Sequence, residues 1–151
     1  MAKFKNELPT QLIKELEALN KNTPKMMEEM TLAGAEVVRK NVVSNMKNSF
    51  EDSSKLVKYL KVTKSYRTKD GSVNTKVGFY GYHKKGSKTF NVTSKKGTTY
   101  SYDGVPVPLI IRAREFGSSS GEAKKPFFRK SFNKSQIESE MLKVQKKYIK
   151  E

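Results

Sequence analysis

The sequence contains no cysteine, no tryptophan and a single histidine, His83. Without cysteine the chain has neither a disulfide framework nor a thiolate metal site. No second imidazole is present to share a metal ion with His83, so we interpret it as an exposed turn residue. No apolar run approaches the roughly 20 residues needed to cross a bilayer, and the first residues lack the apolar core of a signal peptide. We therefore expect synthesis in the cytoplasm of the producing cell.

Carboxylates are scarce in the middle of the chain, where residues 53–102 carry only Asp70. A two-metal nuclease would lack ligands in that segment. The Gly-Ser-Ser-Ser-Gly run at 117–121 lacks the Gly-Lys-Ser/Thr ending of a phosphate-binding loop, and no nucleophile-elbow motif supplies a serine to work with His83. The sequence therefore predicts no active site and no cofactor, and we expect a protein that is not an enzyme.

Positive charge is abundant but unevenly distributed. The net charge is +16, yet residues 1–52 carry 8 basic and 8 acidic side chains, whereas residues 53–102 carry 12 basic side chains and one acidic one. Such a field attracts an acidic partner, either nucleic acid or an acidic protein surface. Lysine outnumbers arginine there, which favours general attraction over bidentate reading of bases. A lysine-rich composition typical of an AT-rich genome is the alternative explanation.

The length of 151 residues predicts one domain, residues 1–151, and the hydrophobic content of 35% predicts a modest core. Leucines at helical spacing predict a short helix at 8–20. Thr23 and Pro24 then fit the N-cap and first position of a second helix, 24–50. Small residues at 33–35 would let another segment pack closely against it. A C-terminal helix at 126–149 is predicted from an apolar stripe formed by Ile137, Met141, Val144 and Tyr148.

Between these helices the pattern changes to that of strands. Residues 60–67 alternate apolar and polar side chains, Asp70-Gly71 is a hairpin turn, and 73–82 reads as the returning strand. Residues 83–104 predict a second hairpin that forms an exposed arm; a disordered loop is the alternative. The expected fold class is α+β, in which a long N-terminal helix and a C-terminal helix pack on a small antiparallel sheet with a projecting hairpin.

The most distinctive stretch is residues 108–132, PLIIRAREFGSSSGEAKKPFFRKSF. A short helix, about 109–116, ends in Glu-Phe-Gly, where Gly117 supplies the positive φ of a helix terminus. A polar loop at 117–125, which we expect to be flexible, leads to Pro126-Phe127-Phe128-Arg129, where proline would open the next helix.

This order of elements resembles the neck and tail-completion family of long-tailed bacteriophages, typified by the gene-10 product of a lambdoid coliphage. Members share a helix ending in Glu-Phe-Gly or Glu-Tyr-Gly, a variable loop and a helix that starts with Pro-x-Phe or Pro-Phe. Lys130-Ser131 stands where the family often has Pro-Ala, and the hairpin at 83–104 looks like an addition. The resemblance implies a structural virion protein that forms a ring of identical subunits at the head–tail junction.

The resemblance also implies where contacts lie. Phe116, Phe127 and Phe128 would anchor the loop to the fold, and Arg112, Glu115 and Arg129 would make polar contacts on or near the subunit interface. We expect the lysines of the arm to meet acidic surfaces of neighbouring neck and tail proteins, with weak, non-specific contact to DNA in the lumen as a further possibility. These lysines are Lys84, Lys85, Lys95 and Lys96.

A small basic nucleic-acid-binding protein is the competing interpretation. Eight aromatic residues are interleaved with the lysines of residues 53–102, and single-strand binders combine positive grooves with stacking rings. Strands, however, also use aromatic residues to build a core. Binding to DNA that is tight at physiological salt and falls steeply as salt rises would favour this alternative.

Overall fold

The longest element is helix α1, Thr10–Ser49, whose 40 residues extend for about 60 Å. It belongs to a computed structural model that describes residues 10–84 and 89–149. The sequence predicted two helices, 8–20 and 24–50, and the break between them is wrong. The long N-terminal helix of the expected α+β fold is confirmed and is longer than predicted.

Pro24 lies inside α1 and not at its start. Proline removes one main-chain hydrogen bond, the one to the carbonyl of Asn20, but its fixed φ is compatible with a helix. Asn20 is exposed, so water can satisfy its carbonyl. Thr23, which the sequence suggested as an N-cap, instead donates its hydroxyl to the carbonyl of Leu19 at 2.6 Å, the back-bonding that threonine makes inside a helix.

The C-terminal helix α4, Lys134–Ile149, packs along α1. A Cβ added to Gly34 would lie 3.1 Å from Ile137 and 3.3 Å from Met141, so the glycine permits the close approach that the small residues at 33–35 predicted. Asn41 meets Gln136 at 2.9 Å. Contacts that come later in α1 are made with residues that come earlier in α4, so the two helices are antiparallel.

The predicted start of the C-terminal helix at Pro126 is wrong. A single 3₁₀ turn forms at Arg129–Ser131, and the chain leaves the helical region at Phe132, which has φ −86° and ψ 74°. Asn133 then restarts the helix, because its side-chain oxygen accepts the N–H of Gln136 at 3.3 Å in the manner of an N-cap.

The first predicted hairpin is present but divided into two short ladders. The ladder far from the turn has Leu60 opposite Phe79, and the ladder next to the turn has Arg67 opposite Val73. The register shifts by one residue between them, which places an irregular bulge at 63–65. The strands are β1 Leu60–Val62, β2 Tyr66–Arg67, β3 Val73–Asn74 and β4 Val77–Phe79.

The second hairpin consists of a stem and an exposed outer part. In the stem Tyr82 lies opposite Pro106, and in the outer part Thr89 lies opposite Asp103. Most side chains of the outer part are exposed. The strands are β5 Tyr82–His83, β6 Thr89–Thr93, β7 Thr99–Asp103 and β8 Val105–Pro106.

The core lies at the C-terminal end of α1. The short helix α2, Ser53–Val57, and helix α3, Val107–Phe116, close over it together with β1 and β4. Phe127 enters between these elements with 1% of its surface exposed, and its ring meets the ring of Phe50 edge-on at 5.2 Å. The largest fully buried side chains are Phe127, Met46, Leu56, Val42, Val107 and Ser131.

Candidate interface around the Glu115 clamp

Glu115, in the last turn of α3, is 3% exposed and holds the segment that contains Phe127. One carboxylate oxygen accepts the main-chain N–H groups of Phe127 at 2.8 Å and Phe128 at 2.9 Å. The other accepts the main-chain N–H of Arg129 at 3.3 Å and its Nε–H at 3.1 Å. The two halves of the sequence motif, Glu-Phe-Gly and Pro-Phe-Phe-Arg, are therefore joined by one side chain, which we call the Glu115 clamp.

The clamp determines the charge state of Glu115. Burial by itself raises the pKa of a carboxyl group, but the hydrogen bonds from the N–H groups of Phe128, Phe127 and Arg129 favour the anion more strongly. The pKa of Glu115 is therefore lowered from its ordinary value. The clamp is a carboxylate at neutral pH, and its negative charge is matched by the guanidinium of Arg129.

The clamped segment is also fixed to α1. The Ser131 hydroxyl donates to the carbonyl of Phe127 at 2.7 Å and accepts from the side-chain amide of Asn45 at 2.9 Å. Asn41, one helical turn earlier, donates to the carbonyl of Ser131 at 3.1 Å. Because these bonds hold Ser131 and the carbonyl of Phe127 against α1, they fix the position at which Phe127 enters the core.

The loop at 117–125 is held at both ends. Gly117 ends α3 with φ +82°, which confirms the positive φ expected at this glycine. The main-chain N–H of Lys125 donates to the carbonyl of Arg114 at 2.9 Å. Arg114 in turn forms two 2.7 Å hydrogen bonds with the carboxylate of Asp52 at the start of α2, and this pairing lowers the pKa of Asp52.

The outer side of the clamp is exposed and partly apolar. Phe116 is 55% exposed, and the guanidinium of Arg129 stacks on its ring at 4.8 Å. Arg112 lies one turn earlier on α3 and is exposed. A shallow groove of about 330 Å³ runs between α3, β4 and this segment. Its lining includes Arg112, Glu115, Phe116, Phe128 and Arg129.

The arm lysines lie elsewhere, on the second hairpin. Lys84 forms an exposed ion pair with Asp103 at 2.9 Å. Lys95 and Lys96 are exposed in the turn between β6 and β7, and Lys85 falls outside the described residues. Surface pairs of this kind add little to stability, so these side chains are available to a partner.

Sequence reasoning identified the residues that the structure brings together around the clamp. Arg112, Glu115, Phe116, Phe127 and Arg129 all lie in one region, and their role at a subunit interface stays a prediction. Glu115 and Phe127 are buried. Within the subunit Glu115 acts through its hydrogen bonds and Phe127 through packing in the core.

Other members of the region were missed. Asn41 and Asn45 lie four residues apart on the helix face that also carries Val38 and Val42, and a polar residue on such a face needs a partner. That spacing was the available indication. Nothing in the local sequence indicated that Asp52 would pair with Arg114, 62 positions away.

Two structural absences hold for residues 10–84 and 89–149. Within these ranges no three His, Asp or Glu side chains lie close enough together to hold a metal ion. Likewise, no helix there has an apolar stretch long enough to span a membrane.

Comparison with known proteins gives one family. Residues 10–102 match the family model HK97-gp10_like, described as "Bacteriophage HK97-gp10, putative tail-component". The matched range covers α1, the first hairpin and most of the second, and it ends before the Glu-Phe-Gly motif. Neither the curated proteins nor the solved structures contain a match. Because the family model covers more than half of the chain, this protein belongs to the HK97-gp10-like family of bacteriophage tail components.

Proposed function

We propose that this chain is a neck or tail-completion subunit, and that identical copies form a ring at the head–tail junction of a long-tailed phage. The family match over residues 10–102 is the observation that carries the proposal, because it makes the chain a structural component of a phage tail and hence of the virion. This family is one of structural proteins and not of enzymes.

A ring sets a condition on the surface of the subunit. In a closed ring each copy contacts the next through two different, complementary faces. Two exposed faces, the groove at Phe116 with arginines at its rim and the lysine-bearing second hairpin, both carry basic side chains, so each would meet an acidic surface and not the other. Neighbouring neck and tail proteins are the partners that these two faces would contact, and copies of the chain would contact one another through the rest of the subunit surface.

The position in the particle can be tested with a phage whose copy of this gene carries an early stop codon. A junction subunit is needed to join finished parts, so we expect full heads and tails of normal length that remain separate. Electron microscopy of the lysate, with the wild-type gene supplied in trans as the control, distinguishes the outcomes. Joined particles without this protein would contradict the proposal, as would absent tails or tails of abnormal length.

Contact with DNA is a second candidate activity, favoured by the stacked rings of Tyr82 and Tyr102 beside Lys84. Their ring centres lie 4.5 Å apart with an interplanar angle of 7°. Tyr82 is exposed and Tyr102 is half-buried. Aromatic rings accessible next to lysines are typical of non-specific binding to single strands. DNA that passes through a ring requires weak contacts. We therefore expect binding at low salt that disappears near physiological salt; tight binding at physiological salt would favour the nucleic-acid-binding alternative.

A further inference from the structure

The groove beside the clamp has an open strand edge as one of its walls. Val77, Gly78 and Phe79 of β4 line it on one side, and Pro108, Ile111 and Phe116 of α3 line it on the other. Its volume of about 330 Å³ is at the low end of the range for ligand pockets. The space therefore fits a short segment of a chain and not a helix or a domain.

The main chain of β4 has hydrogen-bonding groups on the edge that faces away from β1. In an antiparallel pair, alternate residues direct their N–H and C=O groups toward the partner strand. Thr63 bonds to the carbonyl of Lys76, and Tyr80 bonds to the carbonyl of Tyr59, so residues 76, 78 and 80 face β1. Val77 and Phe79 therefore face the other way. Across the described ranges no strand pairs with β4 on that side.

The charge at the groove indicates the chemistry of an occupant. Arg112 is exposed at the rim, and the described part of the chain places no carboxylate within ion-pair distance of it. Glu115, the acidic group of the lining, is already bonded to Arg129 and to main-chain N–H groups. An incoming carboxylate would therefore meet positive charge at the rim and apolar side chains below it.

We infer that the groove binds an extended, acidic segment of a different particle protein, which adds a strand to the free edge of β4. Main-chain groups of the segment bond to Val77 and Phe79, an apolar side chain lies between Phe116 and Phe128, and a carboxylate pairs with Arg112. The inference needs only that the chain is a component of the particle, and it holds whether or not the chain is at the neck.

Charge also argues against a second copy as the occupant. Among the described residues, the most exposed strands that one copy could offer to another are β2, which carries Arg67, and β6 and β7 of the second hairpin, whose turn carries Lys95 and Lys96. Inserting that turn next to Arg112 would bring like charges together. A chain of net charge +16 finds a complementary surface more readily on an acidic protein than on itself.

Photocrosslinking in assembled particles tests the inference. Phe116 is replaced by p-benzoylphenylalanine, the particles are irradiated, and the crosslinked peptides are identified by mass spectrometry. We expect an adduct with a different virion protein, in a segment that contains Asp or Glu beside an apolar residue. An adduct only with copies of this chain, or no adduct in intact particles, would overturn the inference.

Two matched controls separate the groove from the general surface. The same probe at Leu142, which is 50% exposed on α4, should not produce that adduct. Arg112→Glu should reduce the yield at Phe116 at least fivefold, whereas Arg67→Glu, a reversal at another exposed arginine, should leave it unchanged. Equal yields from these two variants, or the same adduct from Leu142, would contradict recognition through the groove.

Hydrogen exchange tests the strand pairing separately. The amides of Val77 and Phe79 should exchange more slowly in particles than in the isolated subunit, and unchanged exchange would overturn strand addition. A failure of the neck assignment would be recognised differently, as joined heads and tails in the stop-codon phage, and that result would leave the groove prediction standing.

Discussion

The region around Phe127 and the outer part of the second hairpin differ in how completely the subunit itself buries and hydrogen-bonds their side chains. Around Phe127 the side chains are buried, and the carboxylate of Glu115 has four hydrogen bonds. In the hairpin, by contrast, Val92 is 40% exposed and Tyr100 is 51% exposed, among lysines. The first region is completed by the chain alone. The outer part of the hairpin is folded, but most of its side chains stay exposed, as expected of a surface that meets a partner.

The largest effect should come from Phe127→Ala. Phe127 fills the centre of the core, so its truncation leaves a cavity and should lower the free energy of unfolding by about 3–5 kcal/mol. Phe132→Ala is the matched control, because Phe132 is 51% exposed and should cost far less. Urea unfolding of both variants measures the difference. A midpoint for Phe127→Ala equal to that of the wild type would show that the region is not the core we describe.

Glu115→Gln should have the next largest effect. The amide keeps the shape of the side chain but loses the charge. It also turns an NH₂ group toward main-chain N–H groups from which the carboxylate accepts hydrogen bonds. Loss of charged hydrogen bonds at a buried site should cost about 3 kcal/mol in urea unfolding. Glu138→Gln, on the exposed side of α4, is the control. A clamp variant as stable as this control would contradict the structural role of Glu115.

The clamp also predicts how stability depends on pH. The pKa of Glu115 is lowered on folding, so its contribution is complete above the unfolded value of about 4.3 and is lost as the pH falls through the folded value. The Asp52 carboxyl, whose pKa is lowered by Arg114, adds to this loss in the same direction. Urea midpoints measured from pH 7 to pH 3 should fall for the wild type and fall less for Glu115→Gln. Parallel curves would exclude Glu115 as a source of the acid sensitivity.

The smallest effect on stability should come from charge reversal at Lys84, Lys85, Lys95 and Lys96. The described members of this set are exposed, so the thermal midpoint should change little. Assembly should weaken, because the hairpin would no longer attract an acidic surface. Yields of joined particles measure this, and reversal at Lys134, Lys143, Lys146 and Lys147 on α4 gives a control of equal charge change. Normal assembly with the hairpin lysines reversed would count against the arm as a contact surface.

The sequence predicted the parts of this molecule that depend on local patterns. Periodicity indicated the stripe on α4 that begins at Ile137, the Asp-Gly pair indicated the turn at Asp70-Gly71, and a glycine after the helix indicated the positive φ at Gly117. The structure has each of them. The helix break at Thr23-Pro24 was wrong because the carbonyl of Asn20, which loses its partner to Pro24, is on an exposed residue and can bond to water while the helix continues on both sides. Only the local rule was visible in the sequence.

What the sequence could not supply depends on distant residues. The C-terminal helix starts at Lys134 and not at Pro126, because Phe132 departs from helical geometry. The segment before it is held by Glu115, which lies 12 residues before Phe127 in the chain. The groove likewise requires β4 and α3 to lie side by side. The family resemblance was recognised from residues 108–132, whereas the family model matches residues 10–102. The match confirms the family, and the motif at 108–132 lies outside the matched range.

Density for this chain in an intact particle tests the central proposal most directly. We predict a ring of identical copies at the junction of head and tail, each with α1 and the second hairpin recognisable, and with the groove beside Phe116 occupied by a segment of a different particle protein. Density that places single copies, or copies without rotational symmetry, elsewhere in the tail would contradict it.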